Sequence, residues 1–145
     1  MLLPEKKIVV LGGTSGIGRT AADAFVREGA KVVVVGLEEE GCSMATEHLG
    51  DSGRAYCGDA RQPECARRAI QLCLDTFGGF DGLYHVAGGS GRRWGDGRLH
   101  DLTLEAWHQT LDLNLTSVML SNQAAVRVFM EQNTRGSILN MSSVV

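Results

Sequence analysis

Two patterns of apolar spacing take turns along the chain. Lys7-Ile8-Val9-Val10-Leu11 is an unbroken run ending at Gly12-Gly13, as a strand buried on both faces of a parallel sheet requires. Beyond the glycines, Ile17, Ala21, Ala24 and Phe25 recur at helical spacing as far as Glu28, with Gly29 as the C-cap. Lys31 to Val35 is a second β-branched run, and Glu39 to Leu49 predicts a helix stopped by Gly50. Ala55 to Cys57 predicts a short third strand. Pro63 then stands where a first-turn proline belongs, opening a helix that reaches Phe77 and stops at Gly78-Gly79. Gly82 to Val86 predicts a fourth strand, followed by a glycine- and arginine-rich loop from Gly88 to Asp101. Leu104, Trp107, Leu111, Leu115, Val118, Ala125 and Phe129 recur at spacings of three, four or seven, which predicts one long helix from Leu104 to Met130 with Thr103 as its N-cap. Gly136 to Ser142 predicts a fifth strand.

Strands alternating with helices over residues 1–145 predict a single α/β domain: a doubly wound, Rossmann-like parallel sheet with helices on both faces. A strand as apolar as Ile138 to Met141 needs a neighbour on each side and a helix over it. The reading is therefore a fragment whose fold is truncated after the fifth strand, the alternative being some other cover for that edge. Composition adds exclusions. With 14 Lys and Arg against 17 Asp and Glu, no positive excess is available to neutralise phosphates along a duplex, so nucleic acid is not expected as a partner. No apolar run approaches the roughly 18 residues of a membrane span, and the N-terminus lacks a signal peptide's apolar segment, so a cytoplasmic protein is expected. Cys42, Cys57, Cys65 and Cys73 form no C-x-x-C pair and read as reduced, structural residues; the four histidines have no ligand spacing, so no metal site is expected.

The 19 glycines cluster, and the cluster at Gly12-Gly13-Thr14-Ser15-Gly16-Ile17-Gly18 joins the first strand to the first helix. Glycine there lets backbone turn sharply and approach a diphosphate, whose charge meets the amides and positive dipole end of the helix. A rival phosphate motif overlaps it: Gly13 to Thr20 fits the P-loop pattern except that Arg19 stands for the lysine, a planar guanidinium in place of a compact charge.

Five landmarks in order carry a more specific resemblance. Gly12-x-x-x-Gly16-Ile17-Gly18, Asp59 in Cys57-Gly58-Asp59-Ala60, His85-Val86-Ala87-Gly88, Leu113-Asn114-Leu115-Thr116 and Asn140-Met141-Ser142-Ser143 together resemble the short-chain dehydrogenase/reductase family. The chain departs from that pattern at Leu11, where a threonine is usual, and at His85-Val86, where two asparagines are. The resemblance implies hydride transfer between NAD or NADP and a small-molecule alcohol or ketone. It implies that Gly12, Thr14, Ser15, Gly16, Ile17 and Gly18 hold the pyrophosphate, that Asp59 and Ala60 meet the adenine, and that Ala87 and Gly88 line the cofactor. Ser143, with Ser142 as the alternative, would donate to the substrate oxygen, and Asn114 would hold a water of the proton relay.

The family's acid is a tyrosine followed four residues later by a lysine, a dozen or so residues beyond the serine, and the sequence ends before that point. Tyr56 and Tyr84 do not substitute, so the 145 residues alone are expected to be inactive. Cofactor choice turns on the end of the second strand, where Gly36 and Leu37 are neither acidic nor basic. Glu38 is the ribose-binding candidate, and the run Glu38-Glu39-Glu40 would repel a 2′-phosphate, which favours NAD. Two other readings remain: a dinucleotide-binding module without chemistry, and a P-loop nucleotide hydrolase. Met119 and Val126 lie outside the main apolar stripe of the long helix, which predicts burial against a partner as well as the sheet, and the resemblance implies that the partner is a second copy in a homo-oligomer.

Overall fold

A computed structural model describes residues 1–143. Strands β1 (Lys7–Leu11), β2 (Lys31–Gly36), β3 (Gly53–Cys57), β4 (Gly82–His85) and β5 (Ser137–Asn140) make one parallel sheet in the order β3-β2-β1-β4-β5. Helices α1 (Gly16–Arg27), α2 (Glu39–Leu49), α3 (Pro63–Phe77), α4 (Leu104–Leu111) and α5 (Ser117–Glu131) complete it. The chain winds outward from β1 to β3, crosses back to β4 and winds outward again, so direction reverses beside β1.

Period two divides the apolar runs between two cores. Val9, Leu11, Val33, Val35 and Leu83 pack with Ile70 and Cys73 of α3 and Ala125 of α5, whereas Ile8, Val10, Val32, Val34 and Tyr84 pack with Ala22 of α1 and Ala45 and Leu49 of α2. The sheet is thus buried on both faces, and each fully enclosed valine contributes about 1.5–3 kcal/mol before chain entropy is charged against it. Phe80 stacks on Phe129 with ring centroids 4.9 Å apart, joining the start of β4 to the end of α5. At the amino ends of the strands Asp81 is the common anchor. Its carboxylate accepts from the Lys7 amide at 2.9 Å and from Lys6 Nζ at 3.2 Å, its amide donates to the Lys7 carbonyl, and its carbonyl accepts from Ser137 N at 3.0 Å.

The pattern-based boundaries hold for β1, α2 and α3 and shift elsewhere for local reasons. β3 begins two residues earlier than expected, at Gly53, which pairs with Val32 directly under the Leu49 side chain. β4 stops at His85 because the Val86 and Ala87 amides both turn onto the Leu11 carbonyl, at 2.9 and 3.0 Å. β5 is shorter at both ends and, among the described residues, pairs with β4 alone, leaving Leu139 57% exposed.

The single helix expected from Leu104 to Met130 is a correction. α4 and α5 are joined by one wider π turn, Asp112–Thr116. Side chains compete for the backbone there: Asn114 Nδ2 donates to the Thr110 carbonyl at 3.0 Å and the Ser117 hydroxyl to that of Leu113 at 2.6 Å. The inserted residue also rotates the inward face. Ala106, Ser117, Ser121 and Ala125 are the buried positions, while Leu104, Trp107 and Leu115 of the expected core stripe lie exposed. Thr103 does cap α4, its hydroxyl accepting from Ala106 N at 3.1 Å.

Candidate active site

The carboxyl ends of β1 to β4 surround a groove of about 360 Å³, at the point where the winding reverses. Its floor is the turn after β1. Gly12 has φ +79°, and its amide and that of Gly13 both donate to the Val35 carbonyl, at 2.9 and 3.0 Å. A Cβ at Gly12 would stand 2.7 Å from the Ala87 amide, and one at Gly18 would overlap the Gly12 carbonyl oxygen, so glycine alone allows α1 to start so close to β1 and β4. Ser15, at the N-cap, makes no side-chain cap bond. Among the described residues no side chain accepts from the first-turn amides of α1, Gly16 to Gly18, and the positive end of the helix dipole opens toward an incoming anion.

The P-loop alternative fits less well. Arg19 is exposed and outside the groove, and the Thr20 hydroxyl is turned back onto the Gly16 carbonyl at 3.1 Å.

Of the residues singled out for the cofactor, Gly12, Thr14, Ser15, Asp59, Ala60, Ala87 and Gly88 line the groove together. Gly16, Ile17 and Gly18 form the first turn of α1 beside it, with Ile17 exposed. Glu38 is not brought in: it is the exposed N-cap position of α2, and the wall at that end is built by Val35, Gly36 and Leu37. Gly58, Ser90, Arg93 and Leu113 also line the groove; of these Arg93, in Arg92-Arg93-Trp94, is a sequence candidate for touching an acidic or aromatic substrate, and the pattern singles out none of the others. Gly58 and Leu113 had a usable signal, their places beside Asp59 and Asn114.

Asp59 is presented by the turn after β3. Arg61 closes on it through its backbone amide at 2.9 Å, Nε at 3.0 Å to both oxygens and a terminal nitrogen at 2.6 Å, and it reaches Gln109 of α4 at 3.0 Å. That guanidinium holds the Asp59 carboxyl below the usual carboxylate range, with the charge of Arg93 adding a smaller push in the same direction. Arg93 in turn stacks on Trp94, 4.1 Å from the ring centroid.

The other wall is fixed by Asn114 and His85. Asn114 grips Gly89 from both sides, its Oδ1 accepting from the Gly89 amide at 3.0 Å and its Nδ2 donating to the Gly89 carbonyl at 2.9 Å. His85 is 1% exposed. Its Nε2 lies 3.0 Å from the Ala87 carbonyl, which only accepts, so Nε2 carries the proton and Nδ1 accepts from the Ser121 hydroxyl at 2.8 Å. Ser117 Oγ, 3.3 Å from Nε2, accepts a share of the same N–H. Burial pushes the imidazole below its ordinary pKa, and the ring is neutral. Ser117 and Ser121 are partners of His85 that the apolar pattern concealed.

Ser142 and Ser143 follow β5 at the same end of the sheet, both exposed and outside the groove lining. Tyr84 is buried edge-on to Phe25, and Tyr56 packs on the α3 core, so neither presents a phenol to the groove. Among the described residues no group of three or more His, Cys, Asp or Glu is arranged to hold a metal, and no helix is long and apolar enough to cross a membrane.

Comparison with known proteins places this geometry. A family model described as short chain dehydrogenase matches residues 6–145. The chain is 32% identical over 145 residues to a 3-oxoacyl-[acyl-carrier-protein] reductase of Vibrio cholerae, covering 100% of the chain and 57% of the relative. It is 39% identical over 140 residues to a 3-alpha-(or 20-beta)-hydroxysteroid dehydrogenase of Mycobacterium bovis, covering 96% and 52%. The crystal structure of a short chain dehydrogenase from Bacillus anthracis superposes with a TM-score of 0.87 at 25% identity, covering 99% of the chain and 57% of that structure. The chain thus spans little more than half the length of the curated relatives it matches.

Proposed function

Because the chain belongs to the short-chain dehydrogenase family over residues 6–145, we propose that it is the cofactor-binding portion of an NAD(P)-dependent oxidoreductase acting on an alcohol or ketone. One observation carries the reading: the glycine turn after β1 delivers the uncapped first turn of α1 to a groove that also holds Asp59. These residues fit a dinucleotide. The amides from Gly16 to Gly18 and the side chains of Thr14 and Ser15 take the pyrophosphate, and Asp59, held ionised by Arg61, accepts from the adenine amino group. Ala87 and Gly88 line the path toward the reacting end. The bound cofactor supplies the hydride donor or acceptor.

Reduction of a carbonyl builds negative charge on its oxygen, and the Ser143 hydroxyl is the donor assigned to it, with Ser142 as the alternative. Asn114 fixes the Gly89 segment and is the residue assigned to the relay water. An alcohol or ketone substrate is supported by the relatives, whose names specify a hydroxysteroid and a 3-oxoacyl group.

NAD is the proposed form of the cofactor, since Glu38, Glu39 and Glu40 gather at the start of α2 beside Leu37 and disfavour a 2′-phosphate. Arg93 is the cation among the lining residues, and it stacks on Trp94. Titration calorimetry with NADH, NADPH and Mg-ATP tests both steps. NADH should bind, and more tightly than NADPH. Tighter NADPH binding would transfer the role at the ribose to Arg93, and Mg-ATP binding without either nicotinamide would overturn the oxidoreductase reading.

The complete protein is proposed to be a homo-oligomer joined through the outward side of α4 and α5, where Trp107, Leu115, Met119 and Val126 are 49, 61, 50 and 44% exposed. Light scattering that gives a monomer at micromolar concentration would refute this.

A further inference from the structure

Two of the four cysteines form a thiol pair at the rim of the groove. Cys57 is the last residue of β3 and pairs in register with Gly36 at the end of β2, while Cys42 sits in the first turns of α2 above the same two strand ends. The Cys42 thiol approaches the Gly36 and Tyr56 carbonyls at 3.6 and 3.7 Å, and the Cys57 thiol donates to the Leu37 carbonyl at 3.3 Å. Both side chains line one small surface cleft with Glu39, Ser43 and Thr46, and the Cys42 thiol rests on the carbonyl of Tyr56, the residue bonded to Cys57. Their exposures differ: Cys57 is open to solvent and Cys42 is buried.

We propose that Cys42 and Cys57 are a redox-active pair that a hydroperoxide converts to a disulfide, stapling α2 to β3 beside the groove. In the first step the Cys57 thiolate attacks the peroxide, its sulfur is oxidised to sulfenic acid, the O–O bond breaks and hydroxide leaves. In the second, the Cys42 sulfur displaces hydroxide from that sulfenic acid, forming the S–S bond, and the Cys42 proton leaves with it as water. Two thiols and one hydrogen peroxide give one disulfide and two waters.

The division of labour follows from accessibility. Peroxide reaches the exposed Cys57 first, and Cys42, shielded from reagent but lining the same cleft, resolves the sulfenic acid before a second peroxide arrives. Burial pushes the Cys42 thiol up to about 11, which makes it a poor first nucleophile. Cys65 and Cys73 are buried in the α3 core, pushed up to about 11 and about 12, and stay out of the reaction. Oxidation takes the Cys57 thiol off the Leu37 carbonyl, and Leu37 and Gly58, the residue after Cys57, both line the groove.

The test treats the full chain with a few equivalents of hydrogen peroxide and follows free thiols, intact mass and a peptide map without reductant. The expected result is a loss of two of the four thiols, a mass lower by two hydrogens, one cross-linked peptide pair joining Cys42 to Cys57, and full reversal by dithiothreitol. In Cys42→Ser, Cys57 should be trapped by dimedone as the sulfenic acid, and in Cys57→Ser no disulfide should form. The wild-type map stands whether or not either variant folds. Four unreacted thiols, a Cys57–Cys65 bond, a dimer linked through Cys57, or Cys57 sulfenic acid persisting in the wild-type chain would each overturn the proposal.

Discussion

Replacing Ser121 by alanine removes one hydroxyl from a site with no route to water, since Ser121 is 0% and His85 1% exposed. His85 Nδ1 then loses its donor, and the ring cannot escape by exchanging tautomers, because Nε2 must keep its proton for the Ala87 carbonyl. An unsatisfied buried acceptor costs about 1–3 kcal/mol. At about 2 kcal/mol the melting temperature falls by roughly 4–8 °C in a chain of this size. The control is the same substitution in a His85→Leu background. There the Ser121 hydroxyl has no imidazole to serve and turns to the Val118 carbonyl at 3.0 Å, so its removal costs about 0.5 kcal/mol or less. Urea unfolding of the four proteins, with unchanged slopes, should thus return a coupling energy of roughly 1.5 kcal/mol. Equal costs of Ser121→Ala in both backgrounds would refute the tautomer and the network built on it.

Three further outcomes are expected. His85 is neutral in the fold and its pKa lies below the ordinary 6.5, so the unfolded chain takes up that proton first. The stability it supplies is complete above about pH 6.5 and is lost as pH falls from there through the folded value. His85→Asn should flatten that decline in urea midpoints, and an unchanged slope would show another group responsible. Gly18→Ala drives a Cβ onto the Gly12 carbonyl and should destabilise by about 1–3 kcal/mol and abolish NADH binding; wild-type titration by a folded variant would contradict the close approach of α1. Arg61→Ala should let the Asp59 carboxyl climb back toward 3.8 in an NMR titration, and persistence of the depressed value would assign the effect to Arg93.

How much of the fold and site is legible in the sequence depends on how local the causes are. β1 and β2 were legible because valines buried on both faces leave an unbroken run, and α3 because Pro63 and Gly78 mark its two ends within the chain itself. The floor of the groove was legible for the same reason: its glycines answer to backbone a few residues away. The π turn was not, since Asn114 bends the helix by reaching Thr110 and Gly89 at once, and the second contact lies 25 residues back. Ser117 and Ser121 look like interruptions of an apolar face until His85 is placed opposite them. Arg61 and Glu38 show the limit from the other side. Charge type suggested a ligand role for Glu38, which the start of α2 leaves outside the groove, while Arg61, unremarked, orders the carboxylate that lines it.

The placement of β1 between β2 and β4 has a consequence for synthesis. Its first side is closed by β2 almost at once, but the anchor on its other side, Asp81, lies 74 residues beyond Lys7. At a translation rate of roughly 5–20 residues per second, the β4-facing edge stays without its partner for about 4–15 s after β1 is made. During that interval Val9 and Val10 form an unpaired, apolar ladder on a nascent chain, the arrangement most prone to capture by a neighbouring polypeptide. The tempo at which Asp81 and β4 follow therefore matters to the yield of folded protein, and slow codons between α3 and β4 should lower it more than slow codons after β4.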